Sequence, residues 1–151
     1  MKVSPAVLAA LCAVLPASCG GDNHAPSPEV AALGNLVVTA RLEAIGGEFP
    51  PNKLYDYAFV MKYRVLKVHR GTFSDEYIYV GHYNPLKPRA EAQDKYSGKL
   101  GGNVTRFQVG DVHRMALEGP LDQHFMGGII DKHIKEKGPR YWAVWTERDR
   151  E

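Results

Sequence analysis

The strongest constraint on the fold is a two-residue alternation of apolar and polar side chains in two early segments. In NLVVTARLEAI, residues 35–45, the apolar face comprises Leu36, Val38, Ala40, Leu42 and Ala44. In YDYAFVMKYRV, residues 55–65, it comprises Tyr57, Phe59, Met61, Tyr63 and Val65. A half-buried β-strand has this period, because successive side chains point to opposite faces. The alternation therefore predicts a mainly β chain.

The second segment changes phase after Val65, where Leu66 and Val68 become the apolar set. One extra residue in a strand exchanges its two faces, so the change predicts a β-bulge or a sharp coil at this point. Strands of a small closed barrel have to bend in this way.

The same patterns along the rest of the chain predict five strands, at residues 36–45, 57–68, 77–83, 112–118 and 141–146. A helix is predicted at residues 129–137, because Ile129, Ile130 and Ile134 have helical spacing and Gly138-Pro139 forms a stop signal. Residues 84–105 are rich in glycine and proline and form a long connection, which in compact domains is often functional or mobile. The prediction is one domain over residues 34–149, a small five-stranded antiparallel OB-like barrel with one helix in its C-terminal half.

Three quoted segments, VVTARLEAI, YAFVMKYRVLKVHRG and FQVGDVHRMALE, resemble the OB-fold barrel of netrin-type and tissue-inhibitor-of-metalloproteinase domains. The resemblance implies the barrel. It does not extend to protease inhibition, because this chain lacks the disulfides of the animal inhibitors, and its Cys19 leads a tether rather than their inhibitory N-terminal cysteine wedge. The second segment, with a Gly-Asp strand and a late aromatic strand, also resembles small exported domains that accompany bacterial polysaccharide O-acetylation machinery.

The N-terminus has the pattern of an export signal. Residues 3–15 are mostly apolar and too short to span a bilayer, and the small residues Ala17 and Ser18 follow. Residues 1–18 are therefore predicted to be a signal peptide, with a buried N-terminal helix as the alternative. Ala17-Ser18-Cys19 resembles the lipobox of bacterial lipoproteins, although Pro16 departs from it.

That resemblance implies that Cys19 is acylated, and that residues 19–33 form a polar tether from the membrane. Cys19 is the one cysteine left after processing, and acylation gives this thiol a role. An ordinary signal peptide would instead leave a thiol there. Gly20 resembles the pattern of outer-membrane sorting, if the cell has two membranes. The location predicted from the sequence is the bacterial cell envelope.

The charge pattern argues against a nucleic-acid partner. The formal net charge is +2, and basic and acidic residues are interspersed without the basic stripe that such binding requires.

No recognisable catalytic, metal or cofactor motif is present, so no cofactor or metal is expected. The six histidines include no pair at metal-motif spacing, and neither a P-loop nor a nucleophile motif occurs. A structural role is favoured for His113, His124 and His133. A hydrolase or transferase accessory subunit with an unrecognised histidine site, linked to polysaccharide O-acetylation in the sense of the resemblance above, is one alternative to a non-catalytic binding function. A purely structural envelope protein is another.

The predicted binding surface lies at the end of the third strand and in the loop after it. It mixes aromatic, amide and basic side chains, namely His82, Tyr83, Asn84, Lys87 and Arg89. Loops held by a rigid barrel often carry recognition. The sequence therefore favours a non-catalytic lipoprotein that binds a protein or a polysaccharide at the envelope, with the ring face of Tyr83 contacting a carbohydrate.

Overall fold

The computed structural model describes residues 26–125 and 127–150, which form seven strands and three short helices. The strands are β1 (Leu36–Ala44), β2 (Tyr57–Arg70), β3 (Tyr77–Tyr83), β4 (Gly101–Gly102), β5 (Val112–Glu118), β6 (Gly128–Asp131) and β7 (Arg140–Arg148). The helices are α1 (Pro28–Ala32), α2 (Arg89–Ala92) and α3 (Leu121–His124). The mainly β prediction is confirmed, and the five predicted strands correspond to β1, β2, β3, β5 and β7.

Five strands close into a barrel in the order β1-β2-β3-β7-β5, with β5 pairing back to β1. Four of these pairings are antiparallel, and β3 with β7 is parallel. The fully antiparallel arrangement was wrong at this pair. Strand directions cannot alternate around a closed ring with an odd number of members, so at least one neighbouring pair has to be parallel. The barrel is compatible with an OB-like fold.

The alternating faces predicted from the sequence form the barrel interior. Leu36, Val38, Ala40 and Leu42 of β1 join the inward residues of β2 in one cluster of buried side chains. The cluster also takes Ile78 and Val80 from β3, and Met115 and Leu117 from β5. Burial of these side chains is the main favourable contribution to folding.

The phase change in β2 is a β-bulge, as predicted. Thr39 of β1 pairs with Lys67 and Ala40 pairs with Val65, so Leu66 has no partner of its own in β1. Val65 and Val68 both pack against the barrel interior, whereas Leu66 is 41% exposed. The bulge therefore turns Leu66 outward, contrary to the expectation that it would share the apolar face with Val68.

A second apolar layer covers the outer face of β2, β3 and β7. Tyr79, Tyr83 and Trp142 point away from the barrel interior and pack with side chains from the connecting segments. Those side chains are Leu100, Leu121 and Phe125.

The predicted helix at residues 129–137 was wrong. Residues 128–131 form β6, which pairs in parallel with Tyr57 to Val60 of β2, and turns follow before β7. β1 pairs with β2 only from Lys62 onward, so the first residues of β2 present an edge. Exposed strand edges carry unpaired backbone groups, and β6 pairs with those of β2. Ile134, expected on the apolar stripe, is 78% exposed.

Part of the predicted tether is folded. Residues 28–32 form α1, with Ser27 as its N-cap, and Val30 is fully buried against Val37 and Ala116. Within residues 26–33, the chain is therefore packed on the outside of the barrel rather than extended. The predicted signal peptide and Cys19 lie outside the described residues. In the part of the chain that the structure describes, no helix has the length and apolarity needed to cross a membrane.

Candidate functional site

The five residues predicted to form a binding surface are mostly buried. His82, Tyr83, Asn84 and Arg89 are each between 0% and 4% exposed, and only Lys87 has a partly exposed side chain. They lie together at the end of β3 as expected, but they do not form an accessible patch. Segments that are distant in the sequence cover these residues, and the local sequence does not indicate this.

Arg89 fastens the loop that follows β3. Its guanidinium donates to the carbonyl oxygens of Tyr83 at 2.7 Å, Asn84 at 2.7 Å and Lys87 at 3.0 Å. Its charged group also lies 5.1 Å from the centre of the Phe107 ring. Burial lowers the pKa of Arg89 to about 10. These contacts give Arg89 a structural role rather than the ligand-binding role expected from its charge.

His82 belongs to a polar cluster inside the barrel. The Tyr63 hydroxyl lies 3.0 Å from His82 Nε2 and 3.2 Å from His113 Nδ1, and all three side chains are fully buried. Phe107 contacts both imidazoles, with ring centres 4.5 Å from His82 and 5.7 Å from His113. Phe107 comes from the segment after β4, which closes this end of the barrel.

Burial keeps both histidines neutral. Desolvation is the main cause that lowers the pKa of His82 well below its usual value, and the positive charge of Arg89 adds to it. Desolvation also lowers the pKa of His113 to about 4, although Asp111, 4.0 Å away, acts in the opposite direction. A sealed pair of neutral imidazoles cannot exchange protons with a substrate on the surface.

The other two histidines considered lie in ion-pair networks. His133 Nδ1 is 3.0 Å from Glu136, whose carboxylate also accepts from Tyr79 and Lys62. The bonds from Lys62, Tyr79 and His133 lower the pKa of Glu136 to about 2. His124 pairs with Glu118 at 2.9 Å. Over the described residues, no group of three or more histidine, cysteine, aspartate or glutamate side chains is arranged to hold a metal ion.

An open cleft lies outside the barrel, beside the second apolar layer. Its volume is about 440 Å³, within the range of small-molecule sites. The described residues that line it are Asp56, Tyr83, Tyr96, Phe125 and Gly127. We call this feature the aromatic cleft. It brings together the loop before β2, the end of β3, the segment after α2 and the segment after α3.

The walls of the aromatic cleft are rigid at the base and exposed at the rim. Phe125 stacks on Trp142 with an interplanar angle of 8° and meets Tyr83 edge to face at 5.1 Å. Tyr83 is 1% and Phe125 6% exposed, whereas Tyr96 is 68% exposed. Tyr96 is therefore the ring that is available for stacking, above a packed aromatic base.

One carboxylate, Asp56, lines the cleft, and a second, Asp94, is bonded to two of the lining residues. Asp94 accepts from the Tyr83 hydroxyl at 2.9 Å and from the Tyr96 backbone N–H at 2.8 Å. Burial raises the pKa of Asp94, but these hydrogen bonds and one from the Ser97 N–H outweigh it, so the pKa lies below its usual value. Asp56 lines the cleft, with Lys87 at 4.0 Å.

Sequence reasoning named Tyr83 but missed Tyr96, Phe125 and Asp56. Tyr96 was detectable in part, because it is an aromatic residue in a long polar connection. Asp56 and Phe125 carry no local signal, since they lie in separate loops that only the folded chain brings together.

Comparison with protein families, with curated proteins and with solved structures found no match to this chain.

Proposed function

We propose that this chain is a non-catalytic binding domain that holds a polysaccharide in the aromatic cleft. The observation that carries the proposal is an exposed ring, Tyr96, above the packed rings of Tyr83 and Phe125, beside an open volume of about 440 Å³. Aromatic rings offer a flat apolar face, and nearby carboxylates accept hydrogen bonds, so a sugar ring can use both.

The positions of the other reactive groups support a binding role. The imidazoles of His82 and His113 and the phenol of Tyr63 are enclosed in the barrel. The cleft is on the outer side of β3, where Tyr83 points. The recognition surface in this proposal is thus shifted from the predicted loop residues to the cleft behind them.

The domain acts at the cell envelope in this proposal, with Cys19 acylated after removal of residues 1–18. Support comes from Ala17, Ser18 and the lone cysteine of the processed chain. We expect mass spectrometry of the N-terminal peptide from exported protein to show an acylated Cys19. An unmodified peptide starting at residue 18, 19 or 20 would remove the lipid anchor from the proposal and leave export in place.

Binding is tested with Tyr96→Ala on an array of neutral and charged oligosaccharides, followed by NMR titration of the best ligand. We expect roughly a tenfold loss of affinity, because a ring contact contributes up to about 1.5 kcal/mol and about 1.4 kcal/mol corresponds to a factor of ten. The thermal midpoint should stay nearly unchanged, because the Tyr96 side chain is largely exposed.

Ile134→Ala is the matched control, because Ile134 is similarly exposed and does not line the cleft. It should bind like the unchanged protein, with resonances of Tyr96, Phe125 and Gly127 shifting on titration. Absence of binding to every oligosaccharide, or full affinity in the Tyr96 variant, would contradict the proposal.

A further inference from the structure

We propose that the aromatic cleft selects a sugar unit that carries a protonated amino group, such as an unacetylated hexosamine. This inference rests on the proposed polysaccharide binding and names the chemical class of the ligand. It differs from the acidic polymer that the basic residues Lys87 and Arg89 would suit, since Arg89 is enclosed in the loop.

The charge of the cleft lining favours a cationic ligand. Among the described residues that line the cleft, Asp56 is the one charged side chain, and it is negative. Its partner Lys87 is 4.0 Å away, and the two side chains are 38% and 44% exposed. A solvent-exposed pair at this distance is weak, so a ligand ammonium can replace Lys87 at little cost.

The aromatic rings of the cleft also favour a cationic ligand. A ring face attracts cations through its negative quadrupole. The hydroxyl of Tyr83 donates to the Asp94 carboxylate, which leaves more electron density on the ring than a bond to water would. The Asp94 carboxylate also accepts a hydrogen bond from the Tyr96 backbone N–H, so a second negative charge lies next to the cleft.

An ammonium group of the protein already lies against one of the cleft rings. Lys95 Nζ lies 4.8 Å from the centre of the Tyr96 ring, within the range of a cation–π contact. The protein's own side chain therefore shows that this ring accepts an amine. A ligand amine would replace the Lys95 ammonium on this ring, because the exposed Lys95 side chain is free to move into solvent.

The test is calorimetric titration with two tetramers that differ only in acetylation, glucosamine and N-acetylglucosamine, at a mildly acidic pH at which NMR shows the sugar amines to be protonated. We expect the glucosamine tetramer to bind at least tenfold more tightly, and its affinity to fall with added salt. Asp56→Asn should abolish this preference without changing the affinity for the acetylated tetramer. Glu48→Gln, an exposed carboxylate in the same loop that does not line the cleft, is the control and should retain the preference.

Each other outcome is decisive. Equal binding of both tetramers, or tighter binding of the acetylated one, would overturn the inference and leave polysaccharide binding intact. If neither tetramer binds, tetramethylammonium is titrated by NMR. Shifts at Tyr96 and Phe125 would then show a cation site that takes no amino sugar, and no shifts would show that the cleft holds no cation. Either result overturns the inference, and the oligosaccharide array decides separately whether another polysaccharide binds. Thermal midpoints of the Asp56 and Glu48 variants show whether both are folded.

Discussion

Arg89 shows how a single side chain can organise a long connection. It is 4% exposed, and within the described residues it is bonded to carbonyl groups rather than to a carboxylate. Three carbonyl oxygens at the end of β3 would lack these donors without it. Buried polar groups that lose their partners cost free energy, so the loop geometry depends on this guanidinium.

We predict that Arg89→Ala destabilises the protein by about 3 kcal/mol, because the carbonyl groups of Tyr83, Asn84 and Lys87 lose charged donors. This differs from the expectation for a surface residue, whose removal would leave stability nearly unchanged. Urea unfolding followed by tryptophan fluorescence measures the difference. Arg106→Ala, an exposed arginine in the segment between β4 and β5, is the control and should change stability by less than about 0.5 kcal/mol. Equal midpoints for the two variants would refute the role of Arg89.

At the scale of elements, two short strands fill edges that the barrel strands leave open. β3 pairs with β7 only from Arg140 to Trp142, and β4 pairs with β7 further along, at Trp145 and Thr146. β6 does the same for the first residues of β2. Strands of a closed barrel are staggered, so each offset leaves backbone groups to be paired.

The approach of β4 to β7 requires glycine. Gly102 has φ +127°, and a Cβ atom there would lie 1.9 Å from the carbonyl oxygen of Thr146. The neighbouring Gly101 would place its Cβ 2.4 Å from the Trp145 ring. Backbone cannot give way as a flexible side chain can, so a side chain at Gly102 would force β4 away from β7.

We predict that Gly102→Ala costs on the order of 3 kcal/mol or more, from strain and from lost pairing of β4. Gly98→Ala is the control, because Gly98 has φ +66° with no atom within 4 Å of its added Cβ. That variant should lose about 1 kcal/mol, from conformation alone. Chemical unfolding of both variants gives the comparison, and a Gly102 variant no less stable than the Gly98 variant would contradict the close approach.

For the whole molecule, the enclosed histidines make stability depend on pH. In the folded chain the pKa values of His82 and His113 are lowered, whereas in the unfolded chain both are about 6.5. The unfolded state therefore binds more protons as the pH falls below that value. The contribution of these two histidines to stability is constant above it and decreases toward about pH 4, where His113 protonates in the folded state as well.

We predict that the free energy of unfolding falls between about pH 6.5 and 4.5 by up to about 1.4 kcal/mol per pH unit for each histidine. His113→Asn should be less stable at neutral pH, because it disturbs packing, but its slope should be shallower. Leu117→Ala, at a fully buried side chain that does not titrate, should also be less stable but should keep the original slope. Denaturant titrations at several pH values measure the slopes, and identical slopes in all three proteins would exclude the buried pair as the cause.

The sequence by itself determined the barrel strands. Alternation over β1, β2 and β5 is a local pattern, and each of these strands buries the face that the pattern selects. The bulge at Leu66 was also readable, since a change of phase is a property of neighbouring residues. Such signals suffice because the side-chain period of a strand depends only on its own backbone.

Only the tertiary structure decided which of the remaining residues are exposed. Alternation separates the two faces of β3 but does not show what covers each face. Phe107 covers His82 on one side of β3, and Phe125 covers Tyr83 on the other. The parallel pairing of β3 with β7, the strand β6 and the aromatic cleft likewise depend on contacts between distant segments. Periodicity is visible in a short stretch of sequence. Burial and pocket shape depend instead on how segments far apart in the chain pack on the same edges and surfaces.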